Sequence, residues 1–535
     1  MKRILFFVCL LLSLNTFSAE WQWSVEMKST VAGETNAHPR AFLWIPADCE
    51  QVRGVVVGMH NMQEEGIMEH PDFRKVMSGI GFAEIWITPG LDPLFDPQKD
   101  SQKQFDEMLN SLAEISGYQE IKYAPIVPIG HSAWASYPWN FAAWNPDKTL
   151  AILSIHGDAP QTNLTGCGRP NLDWGVRTTE GIPGLMVMGE YEWWEDRLTP
   201  AIDYKNKYPK APVSLLADAG HGHFDHSDML INYLALFIKK AAHYRLPDNM
   251  PKNQPIQLIL IDPKQGWLAD RWHKDELPHA DAAPYSCYRG DKLTAFWYFD
   301  KDMAFETEKY YAQARGKRNQ YIGIEQDGVL LPYDEKSHSR YNVRFNPEDD
   351  GITFHLSAVF TDSLRMNPVT EYSQQGKIKI DRLNGPARKV NDTTFVVDFY
   401  RMGLNNPKRT GDIWLIAHQE GDDVYKSTIQ QINMRIPYPY TEGKPQHITF
   451  KPIPNIKKGA KSVLLNAESD RGLPISFYVK EGPAEVEGNK LIIGEIPPRA
   501  KYPLKVTVVA WQYGRSAGEK IQTAEAVERS FYIEQ

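Results

Sequence analysis

The chain has 535 residues, of which 42% are hydrophobic and 24% are charged, and its formal net charge at pH 7 is −8. This length predicts about three domains of roughly 150–200 residues, each large enough to bury a core of its own. The acidic balance argues against nucleic acid and against an anionic membrane surface as partners.

The first nineteen residues have the pattern of a secretory signal peptide. Lys2 and Arg3 precede an apolar run over residues 4–14, and the small residues Thr16, Ser18 and Ala19 follow. The apolar run is too short for a stable membrane span. We therefore expect residues 1–19 to contain a signal peptide that is cleaved after Ser18, with cleavage after Ala19 as the alternative, and the mature chain to be secreted or periplasmic without a transmembrane anchor.

Residues 20–245 alternate between apolar runs and helical patterns. Residues 53–61 and 82–90 read as strands that end in loops, and residues 100–116 carry apolar side chains near helical spacing. Further short aliphatic runs, several ending in glycine, lead to a closing helix over residues 227–242. The alternation predicts an α/β domain, with a mostly parallel sheet and helices on both faces.

The remainder of the chain is rich in short strand-like runs. A polar, proline-rich linker precedes residues 255–440, which predict a β-rich accessory domain with one helical insert over 301–316. A second break precedes residues 445–535, whose strand spacing is typical of a β-sandwich. The segments SDRGLPISFYV and GPAEVEGNKL resemble those of bacterial immunoglobulin-like domains, which implies a spacer or adhesive role.

A candidate nucleophile lies where a predicted strand meets a helix. The strand over residues 126–129 runs into Gly130-His131-Ser132-Ala133-Trp134. A serine on such a tight turn is exposed for attack, and small residues flank it because strand and helix pack closely there. Gly130 fits this pattern, whereas Trp134 occupies the second small position.

An acid and a histidine follow Ser132 in the chain at predicted strand ends. Glu192 comes after the run PGLMVMGEYE, with Asp158 as the alternative acid, and His221 precedes the closing helix. A serine hydroxyl needs a base and an orienting group to become nucleophilic. Backbone N–H groups of Ala133 and of Asn61 or Met62 are the predicted oxyanion hole.

The order serine, acid, histidine and the elbow around Ser132 resemble the α/β-hydrolase superfamily over about residues 42–242, less than half of the chain. The resemblance implies that Ser132 attacks an acyl group, that His221 is the base, that a carboxylate orients the imidazole, and that no cofactor is needed. Two features depart from the family's pattern: Trp134 at the second small position, and His60-Asn61 in place of His-Gly in the oxyanion loop.

The same histidine segment offers a competing interpretation. His221, His223, Asp225 and His226 spell H-x-H-x-D-H, which resembles the zinc signature of the metallo-β-lactamase superfamily and predicts a hydrolytic metal site. That family places the motif early in its fold, whereas a complete parallel-sheet pattern precedes it here. A further alternative is a non-catalytic glycan-binding protein on a degenerate hydrolase scaffold.

Aromatic residues are concentrated around the predicted site. The tryptophans that we predict to contact substrate are Trp134, Trp174, Trp193 and Trp194. Aromatic faces beside an active site stack on sugar rings or line acyl pockets. Together with the signal peptide and the β-rich domains, they favour a secreted serine esterase that cleaves an acetyl, methyl or other acyl ester on a polysaccharide.

Overall fold

A computed structural model describes residues 21–28, 39–164, 168–193, 195–225, 227–337, 339–400 and 409–535. The predicted signal peptide, Trp194 and His226 lie outside the described residues.

The first domain is built around a mixed sheet, which has eight strands in the described part of the chain. The strands are β1 (Trp23–Glu26), β2 (Arg40–Trp44), β3 (Gly54–Met59), β4 (Phe82–Thr88), β5 (Ile126–His131), β6 (Ile152–Ile155), β7 (Gly184–Gly189) and β8 (Val213–Asp218). Their order is β1-β2-β4-β3-β5-β6-β7-β8. The β1–β2 and β2–β4 pairings are antiparallel, and every pairing from β4 to β8 is parallel.

The described residues contain seven α-helices. They are α1 (Glu64–Glu69), α2 (Pro71–Ile80), α3 (Ser101–Ser116), α4 (Ser136–Trp144), α5 (Glu195–Lys207), α6 (Asp228–Arg245) and α7 (Lys301–Ala312). The predicted helices over 100–116 and 227–242 are confirmed as α3 and α6, and the helical insert as α7.

Helices cover both faces of the sheet. On β3, Val56 belongs to the core that contains α2, α5 and α6, whereas Val55 and Val57 belong to the core that contains α3. Successive side chains of a strand point to opposite faces, so a strand buried on both faces is apolar throughout. The predicted α/β-hydrolase fold class is confirmed by this architecture, with β-rich domains following it.

The segment that follows α6 still packs against the first domain. Leu268, Phe296 and Tyr311 share the core of α6 and β8, and the hydroxyl of Tyr298 donates to the carbonyl oxygen of Leu215 at 2.6 Å. Residues 256–314 therefore cover the β8 edge of the sheet, and the β-rich core that contains Ile322 lies beyond them.

The strands that follow form several small sheets. They are β9 (Trp267–Ala269), β10 (Ala283–Pro284), β11 (Phe296–Tyr298), β12 (Tyr321–Gln326), β13 (Val329–Leu330), β14 (Thr353–His355), β15 (Ser357–Thr361), β16 (Lys379–Asn384), β17 (Ala387–Asn391), β18 (Thr394–Val397), β19 (Asp412–Gln419), β20 (Thr428–Arg435), β21 (Ile448–Phe450), β22 (Ile456–Lys457), β23 (Ser462–Leu464), β24 (Ala467–Ser469), β25 (Ser476–Glu481), β26 (Ala484–Glu487), β27 (Lys490–Ile493), β28 (Leu504–Trp511) and β29 (Val527–Glu534). The largest C-terminal sheet has the order β22-β29-β28-β25. The immunoglobulin-like assignment and the exact domain boundaries stay predictions. None of the helices described here is both long and apolar enough to cross a membrane.

The accessory domain makes polar contacts with the loops at the carboxyl ends of the first sheet. Lys426 is fully buried, and its Nζ atom lies 2.8 Å from Glu190 and 2.9 Å from Asp275. Asn384 donates its side-chain amide to the carbonyl oxygen of Asn61 at 3.1 Å. Ligands of open α/β sheets bind at these carboxyl ends, so the accessory domain forms part of the surroundings of the site.

Candidate active site

Ser132 lies on a strained turn between β5 and α4. Its φ angle is +56°, a value that non-glycine residues rarely adopt. The neighbours pack closely: a Cβ atom on Gly130 would lie 2.2 Å from the carbonyl oxygen of Trp134, and one on Gly157 would lie 1.8 Å from the Cβ atom of Ala135. The turn therefore needs glycine at position 130 and at position 157 of the adjacent strand end.

The side chain of Trp134 points away from the cavity and into the core. It is 1% exposed, and a Cβ atom on Gly90 would lie 2.1 Å from its ring. The bulky residue fits because Gly90 has no side chain, and Ala135 makes the close contact with Gly157. The structure contradicts the prediction that Trp134 contacts substrate.

His223 is the histidine that meets Ser132. Its Nε2 atom lies 2.6 Å from the Oγ atom of Ser132, and its Nδ1 atom lies 2.5 Å from the Oε2 atom of Glu192. Glu192 ends the short 3₁₀ turn that follows β7, and His223 lies in the loop between β8 and α6. The three side chains therefore form one chain of hydrogen bonds, with the carboxylate on the far side of the imidazole.

The structure contradicts the prediction that His221 is the base. Its Nδ1 atom lies 3.0 Å from Asp218 and 2.9 Å from Asp225, and its Nε2 atom lies 3.0 Å from the hydroxyl of Ser427. Both ring nitrogens therefore have partners, and the ring is 2% exposed. Burial opposes its protonation, but the two carboxylates outweigh burial and hold the pKa of His221 well above its usual value.

The alternative acid, Asp158, is buried away from the imidazole of His223. One of its oxygens accepts from Ser136 Oγ at 3.2 Å, and the other accepts from the backbone N–H of Leu164 at 3.0 Å. These bonds connect Asp158 to the start of α4 and to the following loop, whereas Glu192 occupies the orienting position.

Two other predicted tryptophans also lie outside the cavity. Trp174 is 2% exposed, and its indole N–H donates to Asn140 at 2.7 Å, so its assignment to the substrate site is wrong. Trp193 is partly buried against the core and donates to Glu195 at 2.9 Å. Trp194 lies outside the described residues, and its assignment stays a prediction.

The predicted oxyanion loop lies close to β5. The side-chain amide of Asn61 donates to the carbonyl oxygen of His131 at 2.8 Å, and Met62 packs against Phe224. Ala133 is the second residue of the short 3₁₀ turn that begins at Ser132, and the first N–H groups of such a turn have no partner inside it. Ala133, Asn61 and Met62 are not among the residues that line the cavity, so the oxyanion hole stays a prediction.

A buried ionic chain continues from Glu192. His156 Nδ1 lies 2.9 Å from Glu192, and His156 Nε2 lies 3.5 Å from Asp218. Burial opposes the charge on His156, but the carboxylates of Asp218 and Glu192 beside the ring raise its pKa to about 9. Burial would also raise the pKa of Glu192, but His223 and His156 hold that pKa well below its usual range. Glu192 is therefore ionised, as an orienting carboxylate must be.

Glu64 and His131 form a second polar layer beneath the turn. Glu64 Oε1 accepts from the backbone N–H of His131 at 2.7 Å, and burial raises the pKa of Glu64 to about 7. His131 Nε2 lies 3.0 Å from the carbonyl oxygen of His223. Burial and the two neighbouring histidines, His223 and His156, hold the pKa of His131 well below its usual value, so a neutral ring supports the His223 loop.

Ser132 lies at a cavity of about 510 Å³ between the first domain and the accessory domain. Its lining residues are Ser132, Tyr191, Glu192, Arg197, Gly222, His223, Phe224, Tyr333, Glu335, Lys336, Ser337, Arg340, Arg365, Ile429, Gln430 and Gln431. Another cavity of the same volume, beside Tyr400 and Phe477, has no serine, cysteine or histidine in its described lining. The first cavity is therefore the candidate active site.

The zinc interpretation requires the histidine cluster to converge on one point. Asp218, His221 and Asp225 do have ligand atoms within 4.8 Å of one another. His223, however, directs one ring nitrogen to Ser132 and the other to Glu192. Of the H-x-H-x-D-H pattern, His221 and Asp225 therefore belong to the buried cluster with Asp218, and His223 belongs to the Ser132 site. His226 lies outside the described residues.

Several solved structures are similar to part of the chain. An S-formylglutathione hydrolase from Staphylococcus aureus is 13% identical, with a TM-score of 0.29, and the match covers 41% of this chain and 98% of that one. Est1E from Butyrivibrio proteoclasticus is 15% identical (TM-score 0.26; 41% and 96% covered), and the esterase domain of a Rhodothermus marinus protein is 14% identical (0.29; 41% and 98%). No protein-family model and no curated protein sequence matches the chain.

Sequence reasoning missed the functional placement of His223 and His156 and the contribution of the accessory domain. The spacing His221-Gly222-His223 identifies two candidate bases, and only the fold distinguishes them. Arg340 and Arg365 line the cavity from more than two hundred residues beyond Ser132. No spacing rule connects residues of different domains, so the sequence carries no signal for them.

Proposed function

We propose that this protein is a serine hydrolase that cleaves carboxylic esters, with Ser132 as nucleophile, His223 as base and Glu192 as the orienting acid. The observation that carries the proposal is the uninterrupted chain of hydrogen bonds Ser132–His223–Glu192, with distances of 2.6 and 2.5 Å, on a strained turn at an open cavity. Nucleophile, base and orienting group within hydrogen-bond reach are the requirements for nucleophilic catalysis.

In the first half of the reaction, Ser132 Oγ attacks the ester carbonyl carbon while His223 Nε2 accepts its proton. The carbonyl oxygen becomes an oxyanion, which the N–H of Ala133 and that of Asn61 or Met62 are proposed to stabilise. The tetrahedral intermediate collapses, the bond to the alkoxy oxygen breaks, and His223 gives its proton to the departing alcohol. The acyl group is then bound to Ser132.

In the second half, water attacks the acyl-enzyme and His223 accepts a proton from it. Collapse of the second tetrahedral intermediate releases the carboxylic acid, and the proton returns to Ser132 Oγ. Glu192 keeps the N–H of His223 on Nδ1, so that Nε2 faces the serine, and it stabilises the imidazolium that forms in both halves. No step needs a cofactor.

The finer proposal is an acetyl, methyl or other acyl ester on a polysaccharide, processed outside the cytoplasm. It is supported by the signal-peptide pattern of residues 1–19 and by the β-rich domains that follow the hydrolase domain. The cavity favours a polar substrate, because most of its lining side chains are polar or charged. A sugar ester meets that requirement better than a long apolar acyl chain.

Labelling with a fluorophosphonate probe tests the proposal. We expect one adduct, located on Ser132 by peptide mapping, which is absent from Ser132→Ala and His223→Ala. Hydrolysis of p-nitrophenyl acetate by the same proteins provides the second readout. If the folded protein gives no adduct under conditions where a known serine hydrolase labels, the triad assignment fails and the non-catalytic glycan-binding alternative is favoured.

A further inference from the structure

The accessory domain gives the candidate active site an excess of positive charge. Four lining side chains are cationic and two are anionic, although the whole chain has a net charge of −8. The cations are Arg197, Lys336, Arg340 and Arg365, and the anions are Glu192 and Glu335. Three of the four cations belong to the accessory domain, whereas Ser132 belongs to the first domain.

The charges of the cavity are not balanced internally. Glu192 is engaged with His223 and His156, and it also lies 3.5 Å from Arg197. Among the described residues, no carboxylate forms an ion pair with Lys336, Arg340 or Arg365. Guanidinium groups that are partly withdrawn from water without a counter-ion are unfavourable, and planar carboxylates or sulfates are their usual partners.

Arg365 is held in position by its neighbours. Its guanidinium carbon lies 4.9 Å from the ring centroid of Tyr321 and 5.1 Å from that of Tyr333, and its Nη1 atom donates to the side chain of Gln430. Cation–π contacts and a hydrogen bond together fix the guanidinium plane before a ligand arrives. Its exposed side faces the cavity that it lines.

Three of the residues that line the cavity have positive φ angles. Arg340 and Arg365 have φ angles of +67° and +60°, and Ser132 and His156 also have positive φ. Non-glycine residues persist in this conformation only where the surrounding structure imposes it, and such positions cluster at functional sites. The surrounding structure therefore imposes the backbone conformation of Arg340 and Arg365, as it does that of Ser132.

Tyr191 adds a hydrogen-bond donor on this side of the cavity. Its ring lies 6.1 Å from that of Tyr321, and its hydroxyl is buried without a hydrogen-bond partner among the described residues. A buried hydroxyl without a partner is costly, and an anionic ligand in the cavity would accept its hydrogen bond.

We propose that the substrate carries an anionic group, a carboxylate or a sulfate, which Arg365 and Arg340 bind while the ester lies at Ser132. The proposal rests on the proposed function and specifies its substrate class as esters of acidic saccharides. The methyl ester of a uronic acid has no free carboxylate of its own, so for such a substrate the anionic group is on a neighbouring sugar.

The test is competition against fluorophosphonate labelling of Ser132, with trigalacturonate, a sulfated carrageenan tetrasaccharide and neutral cellotriose as competitors. The inhibition constant of each competitor is calculated relative to the labelling rate of the same variant without competitor. The variants are Arg365→Gln and Arg340→Gln. The matched control is Arg344→Gln, an exposed arginine of the same domain that does not line the cavity.

For the wild type, we expect an acidic competitor to have an inhibition constant at least about tenfold lower than that of cellotriose. Arg365→Gln and Arg340→Gln should each raise the inhibition constant of the acidic competitor about tenfold or more. Arg344→Gln should leave that constant unchanged, and none of the three variants should change the inhibition constant of cellotriose. A lower constant for trigalacturonate identifies a carboxylate, and a lower constant for the carrageenan fragment identifies a sulfate. Equal constants for acidic and neutral competitors, or no effect of either variant, would overturn the proposal.

Failure of the proposed function gives a different result. If wild-type Ser132 is not labelled at all, calorimetric titration with the same saccharides replaces the competition assay. Acidic saccharides that bind and lose affinity in Arg365→Gln then support the anion subsite without catalysis. Acidic saccharides that do not bind overturn the subsite as well.

Discussion

The Nε2 atom of His223 lies 2.6 Å from the Oγ atom of Ser132. Two positions earlier, His221 directs its own Nε2 atom to Ser427 of the accessory domain at 3.0 Å. Two histidines of the same loop thus have different surroundings. His223 lines the cavity, and His221 is buried between the carboxylates of Asp218 and Asp225. The loop between β8 and α6 therefore combines a candidate catalytic group with an anchor for the accessory domain.

Substitution of the two histidines should separate these roles. We expect His223→Asn to lower kcat/KM by about 10⁴-fold or more and to abolish labelling of Ser132, because the serine loses its base. His221→Asn should keep labelling within about tenfold of wild type but lower the melting temperature, since Asp218 and Asp225 lose their buried cation. The reverse pattern would restore His221 as the base.

Glu192→Gln tests the orienting acid. The amide has the size of the carboxylate, but it can hold the wrong imidazole tautomer and cannot stabilise the imidazolium, so kcat should fall by about 10⁴-fold with little change in KM. Asp158→Asn is the matched control, because Asp158 bonds Ser136 and Leu164 rather than the imidazole. A larger loss of kcat in Asp158→Asn than in Glu192→Gln would contradict the assignment.

The sheet and the elbow could be predicted because they depend on local rules. Fully apolar strands followed by helices predict a sheet covered on both faces, and Ser132 at a strand end predicts the turn. The choice of His223 over His221 could not be predicted, since Gly222 separates two similar residues. Contacts with residues distant in the chain decide between them: Ser132 for His223, and Ser427 for His221. The position of Arg340 and Arg365 at the cavity depends on how two domains pack together, and such packing leaves no periodic pattern in the sequence.

The buried charge on His156 should make stability depend on pH. His156 gains its carboxylate partners only in the folded state, which raises its pKa from 6.5 to about 9. Its contribution is complete below its unfolded pKa and is lost as the pH rises toward 9. The difference between the two pKa values corresponds to about 3 kcal/mol at most.

Urea unfolding of wild type and His156→Asn measures this contribution. At about pH 6 the wild type should be more stable than the variant, and the advantage should shrink as the pH approaches 9. The difference between the two proteins removes the effect of the other ionisable groups. A constant difference across this range would show that His156 is not charged in the folded protein.

The contact between Gly90 and Trp134 explains how the turn accepts a bulky residue, and it can be tested by mutation. A Cβ atom at position 90 would lie 2.1 Å from Cη2 of the Trp134 ring. Gly90→Ala should therefore lower the free energy of unfolding by about 1–3 kcal/mol, because the ring has no space to move in a packed core. Gly79→Ala is the control: its Cβ meets nothing within 4 Å, and alanine in a helix should stabilise by about 0.5–1 kcal/mol.

A double-mutant cycle with Trp134→Phe completes the test. Phenylalanine lacks the outer ring atoms that approach Gly90, so Gly90→Ala should cost less in that background, with an interaction energy of about 1 kcal/mol or more. Strictly additive effects would mean that the ring does not occupy the space above Gly90, and another explanation for Trp134 in the elbow would be required.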